Sequence, residues 1–159
     1  MRRSVLIAGL LVVLSPWLVF ANEELLTLQQ NDGQWALPSK NYSATRYSSL
    51  NQIRAGNVKK LKHVWSFSTG ALRGHEGQPL VVGTTMYVHS AFPTYIYALD
   101  LEKYAKDPQA TEPPIKWKYT PKQNDQAVAV ACCDLVHRGV SYASGKILFS
   151  TRPGLGHGW

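Results

Sequence analysis

The sequence predicts an all-β chain, and three observations predict it. Between His63 and Ser150 the apolar and aromatic residues fall into short runs closed by Gly, Pro, Asn or Ser. Several runs alternate with period two, the mark of a half-buried strand. Tryptophan recurs in two of them, at Trp65 and Trp117, on either side of a meander from Pro79 to Asp100. Short strands spaced by about 8–12 residues fit a sandwich, a barrel or a propeller. One tryptophan per repeat of about 40–50 residues points to a propeller, while a sandwich stays open on pattern alone.

Taken in order, the chain opens Met1-Arg2-Arg3 and then runs apolar from Ser4 to Ala21, broken by Ser15 and Pro16. A basic start, an apolar centre and a small residue at the end make residues 1–21 a secretory signal peptide, cleaved after Ala21. The apolar run is short for a membrane span of about 20 residues. Residues 22–62 form an N-terminal helix and a wrapping loop. Asn22 can cap a helix to Gln30, Glu23 and Glu24 suit the positive end of its dipole, and Leu25, Leu26 and Leu28 give it an apolar side. Asn31-Asp32-Gly33 stops it. The chain is then irregular to Asn51, with one helical turn expected over Asn57–Lys62.

Residues 63–149 carry the strands. His63–Thr69 alternates and ends at Gly70. Pro79–Val82 closes at Gly83, and Thr85–Ser90 places Met86 and Val88 opposite Tyr87 and His89. Tyr95–Leu99 and Ile115–Tyr119 follow, with a long proline-bearing loop from Glu102 to Pro114 between them. Gly139–Ala143 and Lys146–Ser150 are joined by Ser144-Gly145, a hairpin turn pair. Trp35, Trp65 and Trp117 read as core or blade-docking residues. The last stretch, 150–159, is glycine-rich and lacks the lysine of a phosphate loop.

The formal charge of +7 falls by two when Arg2 and Arg3 leave with the signal. The remaining basic residues are scattered beyond Lys59-Lys60 and Lys62, so nucleic acid is not an expected partner. Export to an oxidising compartment bears on the two cysteines, Cys132 and Cys133, which are neighbours. Adjacent Cα atoms lie about 3.8 Å apart, whereas ordinary disulfides want about 4.4–6.8 Å. From the residues alone the pair is either two quiet buried thiols or a strained ring, and an oxidising compartment favours the latter. Glu76, between Gly74 and Gly77, reads as a loop carboxylate. Arg138 reads as a surface charge or a partner for Asp134. His75 and His89 read as hydrogen-bonded loop or strand-end residues, because no cluster with metal spacing surrounds them.

Four stretches together resemble the N-terminal part of the large subunit of pyrroloquinoline-quinone (PQQ)-dependent methanol and alcohol dehydrogenases, especially the lanthanide-using branch. They are Asn41 to Ile53, Val64-Trp65-Ser66-Phe67-Ser68-Thr69-Gly70, Arg73-Gly74-His75-Glu76-Gly77-Gln78-Pro79-Leu80-Val81-Val82, and Ala131-Cys132-Cys133-Asp134 to Arg138-Gly139. The resemblance implies part of an eight-bladed β-propeller with the quinone in a central funnel. It implies that Cys132 and Cys133 form a vicinal disulfide lying flat against the quinone, a rigid neighbour that is not a nucleophile. The arginine matching Arg138 contacts the ring carbonyl oxygens, where an always-charged guanidinium can hold negative charge. The glutamate matching Glu76 binds a cofactor carboxylate. His137 departs from the family's usual asparagine.

The family oxidises primary alcohols to aldehydes in the periplasm and passes electrons to a cytochrome c, with calcium or a lanthanide beside the quinone and a homodimer in the full-length form. Its general base and metal ligands match no residue of this chain, so neither a catalytic residue nor a metal ligand is assigned. At about 40 residues per blade the chain supplies at most about three blades, and propellers close with about four to eight. The propeller is therefore expected to be incomplete, the chain to be an N-terminal fragment inactive by itself, and residues 150–159 to be a truncated or frameshifted tail. The alternative is a non-catalytic envelope propeller that binds proteins. That module would not need Glu76, Cys132, Cys133 and Arg138 together.

Overall fold

A computed structural model describes residues 22–107, 109–130, 135–136 and 138–150. Residues 1–21, where a signal peptide is expected, the cysteines Cys132 and Cys133, and the tail from 151 lie outside the described residues.

Helix α1 spans Glu23–Gln30, and the Asn22 side chain caps it by accepting from the amides of Glu24 and Leu25. That satisfies two of the donors every helix start leaves open. Leu25 is the buried residue of α1. The Asn31–Gly33 stop then folds around a lysine. Lys40 is 2 % exposed and has φ +77°. Its ammonium donates to the carbonyls of Asn31 (2.6 Å) and Gln34 (3.0 Å) and lies 3.6 Å from Asp32 Oδ1. A fully buried lysine survives only when its charge is compensated in this way. A single 3-10 turn at Val58–Lys60 falls where one helical turn is expected.

Four antiparallel strands follow in a meander: β1 Leu80–Val82, β2 Thr85–His89, β3 Ile96–Asp100 and β4 Ile115–Tyr119, in that spatial order. Gly83, at φ +59°, turns β1 into β2. Ser90 shapes the turn into β3, its hydroxyl donating to Pro93 O and accepting from the Tyr95 amide. All five residues of β3 are buried, as an interior strand covered on both faces requires. β4 is exposed throughout. Trp35 pairs with Val81 in an antiparallel bridge, which lays the N-terminal loop along β1. The hairpin β5 Ser141–Ala143 and β6 Lys146–Leu148 turns at Ser144 and Gly145, both at positive φ. Leu25, Ala36, Leu80, Ile96, Val140 and Tyr142 form one core between α1, the sheet and this hairpin. The Tyr142 hydroxyl also donates to Glu24, tying hairpin to helix.

The four-stranded meander and the hairpin are propeller-like, and among the described residues they do not close into a ring. Three expectations need correction. His63–Thr69 is not a strand. Its side chains are anchored, Phe67 against Tyr97 and Trp65 against Tyr104, but no described chain pairs with its backbone, and a strand needs a ladder partner. The loop from Glu102 begins as a helix, α2 Leu101–Lys106, because Asp100 caps it through the Lys103 amide and Glu102 pairs with Lys106 one turn on. A short helix, α3 Ala127–Val130, on which the sequence reading makes no statement, precedes the cysteine stretch in the chain. Of the two readings of Trp117, core or blade-docking, the core one fails: it lies 41 % exposed on β4, tilted against Tyr87.

Candidate functional site

The loop Arg73–Gln78 precedes β1, and Arg138-Gly139 precedes β5. They are 62 residues or so apart in the chain, and the fold brings them side by side. Gln78 and Gly139 form a parallel bridge. Gly139 has φ +132°, a conformation that L side chains rarely adopt. In a parallel bridge the preceding residues also run together, and Glu76 Oε2 lies 3.4 Å from Arg138 Nε. The two side chains singled out by the resemblance therefore meet. The contact is open: the Arg138 side chain is 93 % and that of Glu76 48 % exposed. Such a pair adds little to stability, and its donors and acceptors stay accessible to a ligand.

The loop is pinned from below. His75 Nε2 is 3.0 Å from Thr69 Oγ1, and Tyr97 donates its hydroxyl to Thr69 O at 2.8 Å. His89, at the end of β2, is 4 % exposed and donates through Nδ1 to Ser90 O at 3.0 Å. Burial holds its imidazole below the ordinary 6.5. Both histidines are thus hydrogen-bonded loop or strand-end residues, as their sequence setting suggests. Leu135 lies beside the cysteine loop and is buried, and its carbonyl accepts from the Phe92 amide at 3.2 Å. Cys132 and Cys133 themselves lie outside the described residues.

The family model for the β-propeller domain of PQQ glucose, ethanol and alcohol dehydrogenases matches residues 35–152, which include both loops. The chain belongs to this PQQ dehydrogenase family. It is similar to the lanthanide-dependent methanol dehydrogenase of Methylacidiphilum fumariolicum (strain SolV), at 57 % identity over 96 % of this chain and 24 % of that protein. It is 50 % identical to methanol dehydrogenase (cytochrome c) subunit 1 of Methylobacterium organophilum over 79 % of this chain and 19 % of the other. A solved europium-containing methanol dehydrogenase superposes with a TM-score of 0.74 at 61 % identity, covering 82 % of this chain and 21 % of that one. The chain thus spans about a quarter or less of the length of these PQQ dehydrogenases.

The residues present fit the quinone of this family. PQQ is an anionic, planar polycarboxylate, and an exposed guanidinium offers donors for its oxygens. They do not make a metal site: among the described residues no three His, Cys, Asp or Glu side chains converge. An open groove of about 500 Å³ lies elsewhere, lined by Trp117, Lys118, Tyr119, Ile147 and Phe149 among others. Its lining carries no carboxylate, so the chemistry is assigned to the Glu76–Arg138 pair and not to the groove. The sequence marks His89 as a hydrogen-bonded strand-end residue but does not show that it stands against Gly77. The glycine at 77 was the one signal, since a bare Cα asks what lies against it.

Proposed function

We propose that this chain contributes quinone-binding loops to a PQQ-dependent alcohol dehydrogenase that oxidises methanol or a similar primary alcohol and passes electrons to a cytochrome c. The observation that carries this reading is the meeting of Glu76 and Arg138 from two distant motif loops. Bound there, the quinone supplies a two-electron acceptor for the alcohol carbon. The chain's own residues bind and orient. Arg138 donates hydrogen bonds to ring oxygens and, being permanently charged, favours negative charge on them. Glu76 faces a cofactor carboxylate beside Arg138. Cys132 and Cys133, joined as a vicinal disulfide, provide a flat floor that is not a nucleophile.

The same reading places the protein in the periplasm after loss of residues 1–21, where such a disulfide persists. It puts the general base and the ligands of calcium or a lanthanide outside this stretch, and a homodimer in the full-length enzyme. The chain by itself is therefore expected to turn over no alcohol. A non-catalytic envelope module would have no use for the Glu76–Arg138 pair.

The test is a titration of the secreted chain with PQQ, followed by quenching of tryptophan fluorescence. Saturable quenching is expected, weakened about tenfold or more by Arg138→Ala, the loss of one charge-assisted hydrogen bond. Alcohol-dependent dye reduction by this chain with PQQ and metal would overturn the expectation of inactivity. Absence of PQQ binding by the wild-type chain, or equal binding by the variant, would overturn the role given to the pair.

A further inference from the structure

We propose that His89 is a positioning residue for the Glu76–Arg138 pair. Its buried imidazole occupies the space beside the bare Cα of Gly77 and so sets where the Arg73–Gln78 loop meets Arg138-Gly139. What the pair binds rests on the reading above; the positioning is a property of the chain alone.

The geometry is specific. A Cβ built on Gly77 would lie 1.6 Å from His89 Nε2, 2.5 Å from Cε1 and 2.8 Å from Cδ2. The ring edge therefore stands where any other residue would carry its first side-chain carbon. No rotamer at position 77 relieves this, because the backbone fixes Cβ. The ring is not free to swing away either. His89 is 4 % exposed, its strand is paired with β3 through Ile96, and Nδ1 is tied to Ser90 O. The carbonyl can only accept, so Nδ1 carries the proton and the other edge of the ring is presented to Gly77.

Gly77 in turn supports the partner loop. A Cβ built on Gly139 would lie 3.8 Å from Gly77 Cα and 3.6 Å from Gln78 N and O. The contact runs from imidazole to Gly77 to Gly139, and the residues just before these two glycines are Glu76 and Arg138. Their separation of 3.4 Å exceeds the roughly 2.7–2.9 Å of a tight charge-assisted hydrogen bond, so a shift of the loop by one ångström makes or breaks the pair. Gly74 supplies the contrast within the same loop: a Cβ there meets nothing within 4 Å. The need for a bare backbone is at 77, where the histidine is.

The experiment compares the secreted full chain with Gly77→Ala, His89→Ala, the double variant, and Gly74→Ala as control. Each is read by amide hydrogen exchange at Gln78 and Gly139 without cofactor, by PQQ affinity from fluorescence quenching, and by melting temperature. Gly77→Ala is expected to speed exchange and to weaken PQQ binding, each about tenfold, with melting changed little because the loop is exposed. Removing the imidazole makes room for the new methyl group, so the double variant should bind PQQ better than Gly77→Ala. Gly74→Ala should match wild type. A merely structural histidine would move the melting temperature and leave PQQ affinity unchanged, which would overturn the proposal. So would additive losses in the double variant, or unaltered exchange in Gly77→Ala. Should Gly77→Ala fail to fold, His89→Ala decides by the same readouts, loss of affinity supporting the proposal and unchanged affinity overturning it. If wild type binds no PQQ, the cofactor reading fails and hydrogen exchange alone decides the positioning.

Discussion

Replacing Lys40 by methionine isolates the energetics of the N-terminal loop. Methionine keeps most of the apolar stem that packs in a site only 2 % exposed, and removes the ammonium. Two carbonyls, of Asn31 and Gln34, then lose a charged donor at 2.6 and 3.0 Å. A buried acceptor left without its partner costs about 1–3 kcal/mol. The Asn31 carbonyl keeps the Gln34 amide at 3.0 Å, so the Gln34 carbonyl carries most of the cost, about 2 kcal/mol. The Asp32 contact at 3.6 Å is given no share, because that carboxylate already accepts from the Ser49 hydroxyl and the distance is long. For a chain of this size each kcal/mol moves the melting temperature by about 4 °C, so a fall of about 8 °C is expected. Urea unfolding followed by tryptophan fluorescence should show a lower midpoint at unchanged slope. A loss below about 1 kcal/mol would refute the reasoning, since it would mean that water already serves the Gln34 carbonyl.

Three further outcomes follow from the same geometry. Because burial holds the His89 imidazole below 6.5, the unfolded chain binds more protons than the folded one between that depressed value and 6.5. Stability should therefore fall as pH drops through this window and level off below it, and His89→Asn should flatten that slope in melts taken at successive pH values. Asn22→Ala removes the cap of α1 and should cost about 1 kcal/mol in urea unfolding. Cys132→Ser should weaken PQQ binding in the quenching titration. The secreted wild-type chain should show no thiol reactive with iodoacetamide after denaturation, and two reactive thiols there would exclude the disulfide.

Much of the fold is legible in local chemistry. Asn22 and the two glutamates after it mark the start of α1, and Gly83 and Ser144-Gly145 mark turns, because caps and positive-φ positions depend on a few adjacent residues. The alternation in Thr85–Ser90 and Ile115–Tyr119 marks β2 and β4. His63–Thr69 carries the same alternation and is no strand, because pairing depends on a neighbour and not on the segment. Glu102–Lys106 misleads in the other direction: its prolines lie downstream at Pro108, Pro113 and Pro114, and Asp100 caps a helix before they act.

By itself the sequence determined the all-β class, the two loops rich in family signature, and Glu76 and Arg138 as the residues to watch. Tertiary structure alone decided that these two meet at 3.4 Å and that a histidine from β2 stands behind the glycine between them. The reason is physical. A cap, a turn or an alternating strand is encoded within a few residues, whereas the distance between positions 76 and 138, and the atoms that fill the space at Gly77, arise only when the sheet brings separate segments together.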